Sequence, residues 1–192
     1  MEINNLIMKG VIVYKSKYGA TSQYSKWLAD ELGLPLVKAE EFHPKSLSDF
    51  DFVILAGSIY IGKWLFRDWV KQNAEVLKSK KLFFVMVCGT PSNDFKELER
   101  LASTNIPTSL VRNSDIIFLR GRVVIKRLSL MDKLALKFAS SMVSDPIKKK
   151  EMQEGYDDVS RTNLVDVIRK VRQYLLNINV KKSGGKFSVA GR

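Results

Sequence analysis

Leu82 to Cys88 is an unbroken apolar run entered from Lys81. It has strand length and no polar position on either face. Such a segment is predicted to be a central strand covered on both sides, the usual situation in a parallel sheet with helices above and below. Shorter apolar runs lie at Val11 to Tyr14, Phe52 to Gly57 and Ile116 to Leu119, and Pro35 to Ala39, with Lys38 inside it, reads as a short second strand. Between them come segments with helical spacing, at Gln23 to Leu32, Phe66 to Leu77 and Phe95 to Ala102, with a closing helix at Arg161 to Leu176. Alternation of this kind predicts a doubly wound α/β domain with five parallel strands in the order 2-1-3-4-5. In that order the loops after the first, third and fourth strands meet at one carboxyl-end rim, where ligands bind.

The loop after the first strand carries Ser16, Lys17, Tyr18, Gly19, Ala20 and Thr21. A strand that turns straight into a helix points unpaired N–H groups at one spot, and the positive end of the helix dipole adds to the attraction for an anion. The turn reads either as a phosphate cradle or as an ordinary capped strand-to-helix turn. It lacks the Gly-Lys-Ser/Thr of the nucleoside-triphosphate loop, and Gly19 alone does not make a dinucleotide fingerprint.

An apolar strand ending in Tyr14, then Ser16, Tyr18, Gly19 and Thr21, resembles the flavodoxin signature. The resemblance implies a flavodoxin-like fold in which the Ser and Thr hydroxyls and the loop N–H groups hold the phosphate of flavin mononucleotide (FMN). On that reading the second rim loop, with Ser58, Ile59, Tyr60, Ile61, Gly62 and Trp64, supplies close backbone approach and aromatic contact to the flavin ring. Cys88, Gly89 and Thr90 present N–H groups to the ring carbonyls, and Gly121 completes the cofactor contacts. Ordinary packing is the competing reading for Tyr60, Trp64 and Cys88.

A second pattern is more selective. Phe118 to Arg122, Val123, Ile125, Arg127, Leu128, Asp132, Lys133 and Lys137 resemble the insert of the flavodoxin-type, quinone-dependent protoporphyrinogen oxidase group, as do Ser58, Ile59 and Gly62. Ile125 stands where that pattern carries an aromatic. The resemblance spans about Lys9 to Leu176. It implies oxidation of a porphyrinogen with a quinone as acceptor, the substrate carboxylates meeting Arg120, Arg122, Lys126 and Arg127. No side chain stands out as an acid or base catalyst.

Charge bears on partners. The 192 residues carry a formal net charge of +12, with a sequence pI near 9.8. Between Arg112 and Lys150 ten basic residues face only Asp115, Asp132 and Asp145. Such an excess favours anionic partners and argues against an acidic electron carrier of the flavodoxin type; an NAD(P)H/quinone reductase-like flavoprotein is an alternative. A cofactor-free binding domain of the same fold is a further alternative. Leu128, Met131, Leu134, Ala135, Phe138 and Met142 form a stripe at helical spacing. It is expected to pack on its own domain, with contact to an anionic membrane through the surrounding charge as the alternative. No nucleic-acid-binding motif is recognisable.

The single cysteine, Cys88, excludes an internal disulfide framework, and the one histidine, His43, excludes a histidine metal triad. No metal is expected. No apolar run approaches the roughly 20 residues of a membrane span. Met1 to Leu6 lack the pattern of a secretory signal, so a cytoplasmic location, peripheral on the inner membrane face if at a membrane, is expected. The domain is expected over 1–178 with its insert at about 121–158, followed by a flexible basic tail at 179–192.

Overall fold

The computed structural model describes residues 8–184. Its sheet is built from β1 (Gly10–Lys15), β2 (Leu36–Lys38), β3 (Phe52–Tyr60), the short β4 (Lys63–Trp64), β5 (Lys81–Cys88) and β6 (Ser114–Arg120). The five long-path strands are all parallel, in the order β2-β1-β3-β5-β6, which is the expected doubly wound topology. Helices α1 (Ala20–Leu32), α2 (Arg67–Gln72), α3 (Ala74–Leu77), α4 (Phe95–Asn105) and α5 (Thr108–Val111) connect them. Beyond β6 the chain forms β7 (Arg122–Val123), α6 (Leu130–Ser141), α7 (Pro146–Glu154) and β8 (Tyr156–Asp157), and closes with α8 (Val165–Gly184).

Two apolar layers follow from the period-2 geometry of the strands. Val11, Val13, Val53, Leu55, Phe84 and Met86 face one way, against Phe66, Val70, Leu77 and Leu110. Ile12, Ile54, Ala56, Phe83 and Val85 face the other, against Tyr24 and Leu28 of α1 and Val167 and Val171 of α8. The central strands are fully buried, which explains their lack of polar alternation.

Several boundaries differ from the sequence expectation. The helix expected over Phe66 to Leu77 is split at Asn73, whose side chain bonds the Trp69 carbonyl. The polar stretch from Asp145 to Asp158 is not simply a loop: Asp145 caps α7, accepting from the N–H groups of Ile147 and Lys148, with Pro146 in the first turn. Tyr156 and Asp157 then pair antiparallel with β7. The last helix runs to Gly184, so the expected tail begins inside it, while residues 185–192 and the N-terminal 1–7 lie outside the described residues. Among the described residues no helix is long and apolar enough to cross a membrane.

Candidate functional site

The rim is set by strand register. Lys15 pairs with Gly57, Gly57 with Met86, and Met86 with Phe118, so these strands end side by side and release their loops together.

The first loop opens into α1 through Gly19, whose φ of 91° lies in the left-handed region that glycine enters without steric cost. Its N–H donates to Ser16 Oγ at 3.1 Å. Helix α1 has no side-chain cap and no acidic residue in its first turn. The first intrahelical bond there runs from Gln23 N–H to Gly19 O, so the N–H groups of Ala20, Thr21 and Ser22 have no acceptor within the helix. Nothing lies within 4 Å of a Cβ built on Gly19. A cleft of about 210 Å³ beside the loop is lined by Tyr14, Ser16, Gly19, Ser22, Lys38 and Glu40. An uncapped helix start with open space above it and a lysine in the adjoining cleft suits a phosphate. Lys38 escaped the sequence reading because a cation on a neighbouring strand has no motif spacing.

Thr21 plays a different part from that expected. It is fully buried, and its hydroxyl meets Ser58 Oγ at 2.8 Å, tying the first loop to β3. Its backbone N–H remains a candidate donor, while its hydroxyl faces the protein.

The second loop is a hairpin. Strand β3 continues through Ser58, Ile59 and Tyr60 and pairs with β4 across Ile61 and Gly62. Both turn residues have positive φ, 48° and 71°, as a two-residue type I′ turn requires. Ile61, branched at Cβ and 74% exposed, is an unfavourable residue there. Buried Asn105 holds the hairpin: it accepts from Trp64 N–H at 2.8 Å and donates to Gly62 O at 2.9 Å. Trp64 is a correction to the expected ring contact. It is fully buried, donates from Nε1 to Gly57 O and packs on Phe66 and Phe84, so it belongs to the core. The antiparallel return of β4 turns it inward.

Tyr60 stays at the rim. Lys17 Nζ stands 3.4 Å from its ring centroid, and its hydroxyl donates to Asp132. Tyr18 donates to the same carboxylate, and Lys17 Nζ lies 2.8 Å from it. Asp132 is buried in the first turn of α6, whose start is capped by Ser129. Hydrogen bonds from Lys17, Tyr18 and Tyr60, in that order of weight, hold its carboxyl far below the usual carboxylate range. The same bond to Asp132 raises the Tyr60 phenol, with burial adding to it. Burial works against the Lys17 ammonium, but the bonds to Asp132 and Tyr60 keep it above the ordinary lysine value. The insert is thereby fastened across the first two rim loops. Sequence reading saw the Asp132–Lys133 pair but had no signal for its tyrosine partners.

The third loop meets the insert as well. Gly121 N–H donates to Cys88 O at 2.9 Å, and a Cβ on Gly89 would stand 2.7 Å from the Tyr156 hydroxyl. Burial pushes Tyr156 up to about 12, with Arg120 opposing it. Cys88 is buried and its thiol raised by that burial, with hydrogen bonding at Thr90 only partly opposing, so it is no ready nucleophile. Arg120 is not free for a ligand. It pairs with Glu151 at 3.0 Å and Asp158 at 2.7 Å, donates to Gly89 O and lies over the Tyr156 ring. Arg122 is likewise committed, to Gln23 and Asp157. Lys126 and Arg127, on a 3-10 turn, are exposed. Of the four expected anion contacts, these two stay open because the others lock the insert to the sheet.

The expected packing of the apolar stripe is also overturned. Met131, Leu134, Phe138 and Met142 are exposed, as is Leu130, and Asp132 and Ser140 are the buried residues of α6.

A family model described as a flavodoxin domain matches residues 11–150. Solved structures similar to this one include a flavodoxin from the domain Archaea, 12% identical over 86% of this chain and 99% of that one, with a TM-score of 0.41. A two-electron reduced flavodoxin of Megasphaera elsdenii is 16% identical over 58% of this chain and 83% of its own, with a TM-score of 0.42. A mutant flavodoxin of Fusobacterium nucleatum bound to flavin mononucleotide is 12% identical over 59% and 70%, with a TM-score of 0.35. No match was found among curated proteins.

Proposed function

Because the chain belongs to the flavodoxin domain family, we propose that it binds FMN at the rim and acts as an FMN-dependent oxidoreductase. The observation that carries this reading is the uncapped N-terminus of α1 beneath open space at Gly19. A phosphate there would be held by the N–H groups of Ala20, Thr21 and Ser22 and by Ser16 Oγ, with Lys38 nearby. FMN supplies two-electron redox chemistry when bound. The chain's share is position and electrostatics. Tyr60 and Tyr156 are the aromatic groups at the second and third loops, and Gly89 keeps the third loop free of a side chain. Lys17 is neutralised by Asp132, and the pair fixes the Tyr60 ring in place at the second loop.

The finer reading is a protoporphyrinogen oxidase with a quinone acceptor. It rests on the insert pattern and on the exposed Lys126 and Arg127 as partners for substrate carboxylates, Arg120 and Arg122 being engaged internally. The net charge of +12 favours an enzyme for anionic substrates over an acidic carrier. The test is the absorbance spectrum of the purified protein with identification of any released chromophore, followed by porphyrin fluorescence during turnover with a quinone. A yellow protein releasing FMN and producing porphyrin supports both levels. A colourless protein that leaves FMN fluorescence unchanged refutes the cofactor reading. A yellow protein without porphyrin formation refutes the finer one.

A further inference from the structure

Helix α6 has two opposite sides, and both are used. The 3.6-residue turn places Asp132, Leu136, Ala139 and Val143 towards the protein and Leu130, Met131, Leu134, Phe138 and Met142 on the far side. Those five outward residues are between 63% and 79% exposed, and Ile147 at the start of α7 is 75% exposed. Contiguous apolar surface of this kind marks a docking face. Lys133 and Lys137 run along one margin of the stripe, one turn apart, and Lys148, Lys149 and Lys150 follow on α7. Among the described residues neither Lys133 nor Lys137 has an ion-pair partner. The acidic residues of the segment are committed elsewhere: Asp132 to the rim, Asp145 to capping α7, Glu151 to Arg120, Glu154 to Lys150.

We propose that this face docks on an anionic lipid surface, the apolar side chains entering the headgroup–acyl boundary while the lysines meet the headgroups. Charge selects this occupant. A second copy would set basic margin against basic margin, whereas an anionic bilayer offers both an apolar interior and the opposite charge. The docked helix is the one bonded through Asp132 to Lys17, Tyr18 and Tyr60, so the loops after β1 and β3 would lie close above the membrane.

The experiment is flotation of the full chain with vesicles of equal parts phosphatidylglycerol and phosphatidylcholine, compared with phosphatidylcholine alone, at low and high salt. Binding is expected only to the anionic vesicles, falling as salt rises. The paired variant Lys133→Gln/Lys137→Gln is expected to lose about thirtyfold in partitioning, roughly fivefold per basic residue. Leu134→Asp/Phe138→Asp is expected to abolish flotation with an unchanged unfolding curve. If the latter variant unfolds, the lysine pair still decides the matter. Absence of flotation, equal binding to neutral vesicles, or full retention of binding by the lysine pair overturns the proposal. So does sedimentation as a dimer that the Leu134/Phe138 variant splits.

Discussion

The sheet and the insert are stabilised by different forces. Phe83, Phe84, Ile54 and Leu55 are fully excluded from water, and their burial against helices on both faces holds the sheet. The insert has few buried apolar residues and instead leans on Arg120, Arg122 and Asp132, which bond it to the end of β6, to Gln23 of α1 and to the first two rim loops. Its apolar side chains are spent outward. A domain core tolerates only apolar substitution of similar volume, whereas a segment fastened by ions depends on a few partners and on pH. The same contrast explains how a region that adds little to the fold can carry a surface with its own purpose.

The difference can be broken from either side. The largest loss is expected for Phe84→Ala, in the layer with Trp64, at about 3–5 kcal/mol in urea unfolding. Arg120→Met leaves Glu151, Asp158 and the Gly89 carbonyl without their donor. It is expected to loosen the insert by about 1–3 kcal/mol, read as faster amide exchange in β7 and β8 with slower change in β3 and β5. The Asp132 latch carries a pH signature. Its folded carboxyl is depressed, so its contribution is complete above the unfolded value, near 4, and is lost as pH falls through the lower folded one. The Asp132 latch should therefore stay closed at pH values where ordinary carboxylates are already protonated, and Asp132→Asn should remove that latch's acid dependence from the fluorescence of Tyr18 and Tyr60.

Smaller effects sharpen the line between the regions. Thr21→Val leaves Ser58 Oγ without its partner and is expected to cost about 0.5–1.5 kcal/mol of stability. Because the Thr21 hydroxyl faces inward, FMN affinity measured by fluorescence titration should change less than on Gly19→Ala, which strains the turn itself. The smallest change is expected for Leu134→Ser, within about 0.5 kcal/mol, since the side chain is already exposed. A loss approaching that of Phe84→Ala would show that α6 packs against something in solution.

Much of the rim was readable from pattern, and some of it was not. Ser16, Gly19, Ser58, Tyr60 and Gly89 sit at the ends of the strands that apolar runs identify, so register alone gathers them. Trp64 was misplaced because a hairpin two residues long reverses which way a side chain points. Tyr156 and Asn105 gave no signal, since each acts through a partner far along the chain.

By itself the sequence determined the alternation of buried strands and helices, and with it the topology and the location of the rim, because burial on both faces leaves continuous apolar runs. The tertiary structure alone decided what each cation, hydroxyl and helix face meets. It joined Arg120 to Glu151 and Asp158, set three donors on Asp132, and turned the stripe of α6 to solvent. Periodicity fixes that a face exists; only packing in three dimensions fixes its partner, since that depends on chain segments brought together from more than a hundred residues apart, as Tyr18 and Asp132 are.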